Sequence, residues 1–226
     1  MINVVKSQPA PPCLLVEAQK NNGDYKCGDV QLRIRNDFFN KCYICGSKNP
    51  RPIDVEHFRP KSRFQHLTFD WNNLFYACSH CNGIKLDKIG YDNILDCTNS
   101  NQNITDLIEF VFDPLKEDSP DFFIVNDNSI SVLQTINLLE EVFEGKTTRQ
   151  RIGAENLTDD LKSEMNVFYH FALEFLQPNT MPSRKRDIRE LIVEHLKPNS
   201  AFTPFKIWVI KRNKKLLQAF NQYLPV

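Results

Sequence analysis

Residues 41–85 read KCYICGSKNPRPIDVEHFRPKSRFQHLTFDWNNLFYACSHCNGIK, and the fold prediction starts from this stretch. It contains two Cys-x-x-Cys pairs, Cys42 with Cys45 and Cys78 with Cys81, separated by 32 residues. Such pairs can bring four thiolates to one tetrahedral zinc ion. Two unrelated buried pairs or a redox motif are the alternatives, but two pairs in one chain favour a structural zinc site.

The segment between the pairs has the pattern of a strand, a loop, a second strand and a helix. Ile53 and Val55 alternate with polar residues, which predicts a strand, and Ser79 can begin a helix. This order would bring four polar side chains close together, with the zinc site beneath them. These candidate catalytic and metal-binding residues are Glu56, His57, Asn73 and Asn82.

The composition indicates a globular chain that can bury a sizeable core. Of 226 residues, 41% are hydrophobic and 25% are charged, with 17 Phe. That balance excludes a disordered chain, and no apolar run approaches the length of about 18–20 residues that a membrane helix needs. Residues 1–13 lack the apolar stretch of a secretory signal, so we expect a cytoplasmic protein without a membrane partner. In that compartment, Cys13, Cys27 and Cys97 are expected to be free, small apolar residues.

The net charge of zero conceals an uneven distribution of charge along the chain. Residues 1–90 hold 13 Lys and Arg against 8 Asp and Glu, and residues 91–180 hold 5 against 17. Residues 181–226 hold 10 against 3. The two basic segments could form a local surface for nucleic acid, although solvated helix faces explain the same charges.

The central segment resembles the HNH, or ββα-metal, nucleases. The matching motifs are Glu-His-x-x-Pro-Lys-Ser at 56–62, Trp-x-Asn-Leu at 71–74 and Cys-x-x-Cys-Asn-x-x-Lys at 78–85. The third position of the family motif, often His, is Asn82 here, and the position before the general base is Glu56. Both residues supply oxygen donors, which suit a hard ion such as Mg²⁺ or Mn²⁺.

The resemblance implies a role for each residue in phosphodiester hydrolysis. His57 would be the general base and Asn73 would orient its ring, because a neutral imidazole can take a proton from the attacking water. Glu56 and Asn82 would hold the catalytic divalent ion. Four basic side chains beside these residues are expected to contact the nucleic-acid backbone: Arg59, Lys61, Arg63 and Lys85.

The predicted fold class is α+β, a small zinc-stapled ββα-metal unit with a mainly α-helical C-terminal region. The last hundred residues carry apolar stripes at helical spacing, one of them beginning after a capping Thr158 and others at 188–196 and 205–220. The predicted regions are an N-terminal arm with short helices (1–40), the HNH unit (41–92), an irregular connection (93–130) and a helical region that could dock a partner (131–226).

The layout of the chain also resembles the PtuB family, the HNH nuclease subunits of Septu-type and retron-associated antiphage systems. That resemblance implies an effector nuclease whose partner is a PtuA-type ABC ATPase. The alternative within the enzymes is a free-standing restriction or homing-type HNH endonuclease. A non-catalytic zinc-dependent module that binds nucleic acid would need the cysteines but would leave Glu56, His57 and Asn82 unexplained.

Overall fold

A computed structural model describes residues 1–116 and 119–224. Its strands are β1 (Ile53–His57), β2 (Leu74–Cys78), β3 (Ile108–Val111) and β4 (Asp121–Ile124). Its helices are α1 (Pro12–Ala18), α2 (Gly28–Asp37), α3 (Ser79–Lys85), α4 (Ile104–Leu107), α5 (Ile130–Glu144), α6 (Thr148–Leu176), α7 (Pro182–Leu196), α8 (Thr203–Arg212) and α9 (Lys214–Phe220). The α+β class predicted from the sequence is confirmed.

The strand and helix expected around the motif form where the sequence places them. β1 pairs antiparallel with β2, so that Ile53 lies opposite Cys78 and His57 opposite Leu74. α3 follows β2 directly, and Cys78 precedes its first residue. The short connection keeps the helix packed on the two strands. The resulting ββα unit, with the loop between its strands, carries the matched motifs from Glu56 to Lys85.

A disulfide joins the two helices of the N-terminal arm. Cys13 in α1 is bonded to Cys27, the residue before α2. The expectation that both cysteines are free is therefore wrong, whereas Cys97 is free and buried. The bond could not be predicted from the sequence, because its two cysteines become neighbours only when α1 packs against α2.

The connection predicted to be irregular contains a second, smaller pair of strands. β3 and β4 are antiparallel, with Ile108 opposite Ile124 and Phe110 opposite Phe122. The Phe110 and Phe122 rings pack edge to face with centroids 5.4 Å apart. Four-residue strands are too short for their alternation to stand out among the Pro and Asn residues around them.

The predicted apolar stripe of α6 is confirmed, but the helix begins earlier than expected. Thr147 caps it, and Gln150 completes a capping box by accepting a hydrogen bond from the Thr147 N–H at 3.0 Å. Thr158 therefore lies inside the helix and caps nothing. Since polar residues dominate the first turns of α6, the apolar period became visible only from Leu161 onwards.

The stripe predicted over 205–220 belongs to two helices instead of one. Asn213 separates α8 from α9, and its Oδ1 accepts hydrogen bonds from the backbone N–H groups of Lys215 and Leu216, both at 3.1 Å. An Asn at a helix start satisfies N–H groups that have no partner within the helix, which explains the break.

The C-terminal helices pack directly on the ββα unit and share its hydrophobic core. His80 in α3 bonds through Nε2 to the carbonyl oxygen of Val142 in α5 at 2.8 Å. The buried Glu141 carboxylate accepts hydrogen bonds from Lys88, from Lys146 at 2.7 Å and from Tyr91 at 2.5 Å. Burial alone would raise the pKa of Glu141, but these hydrogen bonds outweigh it and lower the pKa to about 2.

Among the helices of the described residues, none is both long and apolar enough to cross a membrane.

Candidate active site

Four cysteine thiols form a cluster at the base of the ββα unit. The sulfur atoms of Cys42, Cys45, Cys78 and Cys81 all lie within 4.8 Å of one another and are buried. Two come from the turn before β1, where Gly46 adopts a positive φ of 79°, and two from the junction of β2 with α3. Four thiolates this close together suit a tetrahedral metal site of the kind that zinc occupies. Over residues 1–116 and 119–224, no other His, Cys, Asp or Glu cluster has such geometry.

His57 lies at the end of β1 with its ring held by the loop that follows. Its Nε2 is 3.0 Å from the carbonyl oxygen of Thr68. Because a carbonyl oxygen can only accept, Nε2 carries the proton and Nδ1 keeps a free lone pair. Burial lowers the pKa of His57, and the charges of Lys61, Lys85 and Lys26 lower it further against the opposing effect of Thr68. The lowered pKa favours the neutral form of the ring.

Asn73 holds the backbone on either side of that loop. Its Oδ1 accepts from the Arg59 N–H at 2.7 Å, and its Nδ2 donates to the carbonyl oxygens of Arg59 at 3.0 Å and Leu67 at 3.3 Å. The His57 ring instead donates its Nε2–H to the carbonyl oxygen of Thr68. Asn73 thus positions the backbone of the loop that follows His57. Its effect on the His57 ring is indirect, whereas the resemblance implied that Asn73 orients the ring by a direct contact.

Glu56 and Lys85 form a buried ion pair between β1 and α3. The Lys85 Nζ lies 2.6 Å from the Glu56 Oε1, and the two side chains are 1% and 5% exposed, respectively. Lys85 also donates to the carbonyl oxygens of Phe58 at 2.9 Å and His57 at 3.3 Å. Burial raises the pKa of Glu56, although Lys85 opposes that shift. The prediction that Lys85 contacts a phosphate is wrong, because the ammonium is enclosed by the protein.

Asp54 is the carboxylate that lies against Asn82, and it was not among the site residues predicted from the sequence. Its Oδ2 accepts from the Asn82 Nδ2 at 3.1 Å and from the Ser79 Oγ at 2.8 Å. Asp54 stands two residues before Glu56, so both carboxylates leave β1 on the face covered by α3. The alternation of side chains along a strand could have predicted this contact. If Glu56 faces the helix, then Asp54, two residues earlier on the same strand, faces it too.

Comparison with known proteins adds to this geometry. Residues 42–88 match the family model described as HNH endonuclease. The segment that forms the ββα unit is therefore similar to HNH endonucleases. A stretch of 59 residues is 39% identical to the Septu protein PtuB of Bacillus thuringiensis. That similarity covers 25% of this chain and 23% of PtuB, so it extends to less than a quarter of the relative's length.

The basic residues around the HNH unit differ in whether their side chains are already bonded to other groups of the protein. Arg59 donates to the Asp92 carbonyl oxygen and to Asn93 Oδ1, and Arg63 bonds to the Asp87 carbonyl oxygen and the Asp92 carboxylate. Within the part of the chain that the structure describes, no hydrogen bond or ion pair engages Lys61, whose Nζ lies 5.4 Å from the Tyr25 ring centroid.

We expect the purified protein to contain about one zinc ion per chain, because four buried thiolates need a cation to hold them together. Elemental analysis by mass spectrometry measures this. Cys78→Ser should lose the metal and unfold at a lower temperature. Cys97→Ser removes a buried thiol outside the cluster and should keep the zinc, which makes it the matched control. Wild-type protein that is folded and free of zinc would contradict the prediction.

Proposed function

We propose that this protein is a metal-dependent HNH endonuclease that hydrolyses phosphodiester bonds of nucleic acid in the cytoplasm. The observation that carries the proposal is the state of His57 within the matched HNH unit. A neutral imidazole with a free Nδ1 stands at the end of β1, where it can act as a general base. Its Nε2–H is fixed by Thr68, so the ring does not need to reorient to accept a proton.

In this mechanism His57 takes a proton at Nδ1 from a water molecule that attacks phosphorus. The bond between phosphorus and the leaving oxygen then breaks, and a proton from solvent completes the new hydroxyl group. A divalent ion such as Mg²⁺ or Mn²⁺, when bound, would neutralise charge on the phosphate and the leaving oxygen. The zinc site would be structural, because four thiolates complete its coordination.

The residues that would hold the divalent ion need a different assignment from the sequence-based one. Asn82 offers its Oδ1, since its Nδ2 is engaged by Asp54, and the Asp54 carboxylate lies beside it. A cation bound at the Glu56 Oε1 would have to displace the Lys85 ammonium, which lies 2.6 Å from that oxygen. Oxygen donors from Asp54 and Asn82 fit a hard divalent ion. We therefore assign the ion to this pair and give Glu56 the role of neutralising Lys85.

The role of His57 is tested by His57→Ala in the full chain. The variant should keep its fold and its zinc, and should cut about 10²–10⁴-fold more slowly than the wild type, because general-base catalysis contributes that much. Cleavage of labelled DNA and RNA in the presence of Mg²⁺ or Mn²⁺ measures the rate. His66→Ala, on an exposed position of the same loop, is the control. A His57→Ala protein that cuts at the wild-type rate would refute the proposal and favour a non-catalytic binding module.

Asp54→Asn and Glu56→Gln separate the two candidate carboxylates. Asp54→Asn should weaken Mn²⁺ binding by at least about tenfold and leave the melting temperature close to that of the wild type. Glu56→Gln should instead lower the free energy of unfolding by about 3–5 kcal/mol, because it leaves the buried Lys85 charge unpaired. Electron paramagnetic resonance titration of Mn²⁺ and thermal melting are the measurements. Loss of Mn²⁺ binding in a folded Glu56→Gln protein alone would return the ligand role to Glu56.

The partner that we propose is a PtuA-type ABC ATPase, with the chain as the nuclease of an antiphage defence complex. Similarity to PtuB supports the proposal. The helical region also borders a groove of about 760 Å³, at whose edges Leu115 and Leu173 are 91% and 58% exposed. Apolar side chains exposed beside a groove are typical of protein interfaces. A free-standing restriction or homing-type endonuclease is the second candidate, and it would need no ATPase.

Size-exclusion chromatography of the full chain with an ABC ATPase encoded beside it distinguishes the two candidates. The wild type should co-elute with the ATPase, and Leu173→Asp should weaken the complex because it places a charge in the groove. Ile152→Asp, at an exposed apolar position near the other end of α6, is the control. Deleting α5–α9 would be uninformative, because Glu141 and Val142 are bonded to the HNH unit. Absence of co-elution with the wild type would favour the free-standing enzyme.

A further inference from the structure

A segment outside the matched HNH unit lies directly against His57. Tyr25 belongs to the N-terminal arm between α1 and α2, and its ring centroid is 4.4 Å from that of His57, with the ring planes at 58°. The family match begins at residue 42, so it does not include this contact. The arm therefore supplies one wall of the candidate active site.

Two ammonium groups lie close to this wall. The Nζ atoms of Lys26 and Lys61 are 5.6 Å and 5.4 Å from the Tyr25 ring centroid. The two lysines come from separate segments, the arm and the loop after β1, and both lie close enough to His57 to lower its pKa. A pair of cations beside a neutral base is the arrangement that a phosphodiester substrate requires, because its negative charge must be held near the reacting atoms.

Lys26 is directed towards the site by the rest of the arm. Its backbone N–H donates to the Asp24 Oδ1 at 2.8 Å, and its carbonyl oxygen accepts from the Gln31 Nε2 at 2.6 Å. The next residue, Cys27, is held by the disulfide to Cys13. The Lys26 Nζ lies 4.0 Å from the Asp54 Oδ1, and its side chain is 40% exposed. The ammonium is thus placed beside the candidate cation site and remains accessible to a ligand.

We propose that Lys26 and Lys61, on a wall built around Tyr25, form a binding site for backbone phosphate of the nucleic-acid substrate. This inference rests on the proposed nuclease function and adds a residue of the N-terminal arm to it. The wall replaces the contacts first expected of Lys85, which is buried, and of Arg59 and Arg63, which are bonded within the protein. Ammonium groups bind phosphates without reading the bases, so the site would act on any sequence.

The salt dependence of binding tests the inference separately from catalysis. The full chain carrying His57→Ala is titrated with fluorescent DNA and RNA oligonucleotides over a series of salt concentrations, without a divalent cation. Each lost phosphate contact should reduce the slope of log K against log salt by about 0.7–0.9. Adding Lys26→Ala should reduce the slope by about one contact, and Lys26→Ala with Lys61→Ala by about two.

Lys20→Ala is the matched control, because Lys20 lies on the same arm, its replacement removes the same charge, and within the described residues it pairs only with Glu17. Its slope should equal that of the parent. Equal slopes for Lys26→Ala and Lys20→Ala, in a protein whose wild-type form cuts nucleic acid, would overturn the phosphate site and leave the nuclease assignment intact. If the wild type neither cuts nor binds either nucleic acid, the proposed function itself fails.

Discussion

The Lys85 ammonium lies between the end of β1 and the last turn of α3, where it contacts the Glu56 carboxylate and the carbonyl oxygens of His57 and Phe58. A charge enclosed in this way is costly unless it is paired and hydrogen-bonded. Lys85 is paired with Glu56 and donates to two carbonyl oxygens. The same contacts fix where the chain leaves β1. The position at which the chain leaves β1 in turn determines the direction of the His57 ring. It also determines where the loop to Asn73 begins.

The pair also explains why two carboxylates on one strand have different surroundings. Glu56 is needed inside the protein to neutralise Lys85, which leaves Asp54 as the carboxylate beside Asn82. Glu56 and Lys85 therefore form an internal ion pair, whereas Asp54 and Asn82 form a partly exposed pair of oxygen donors. A hard cation near Asn82 would complete the charge balance, since Asp54 has Lys26 only at 4.0 Å. The proposed cation site depends on this difference between Asp54 and Glu56.

The sequence predicted those features that depend on spacing along the chain. The Cys-x-x-Cys pairs, the strand ending in His57 and the helix beginning at Ser79 are local patterns, and each has the predicted place in the structure. What it could not predict depends on which face of an element becomes buried. Lys85 looked like a surface charge, Asp54 like part of a strand, and Tyr25 like part of an irregular arm. The Cys13–Cys27 bond was missed for the same reason, since only the packing of α1 on α2 brings the two thiols together.

The seven residues of α3 are held by separate neighbours on several sides. Cys81 belongs to the thiol cluster, Lys85 to the ion pair with Glu56, and His80 bonds to α5. Gly153 of α6 approaches so closely that a methyl group there would lie 2.4 Å from His80 Nδ1. The helix consequently has little freedom to vary in evolution. Among relatives, amino-acid substitutions should therefore be rare in α3. They should be more frequent in the loop after β1 and in the N-terminal arm, including substitutions that change the preferred substrate.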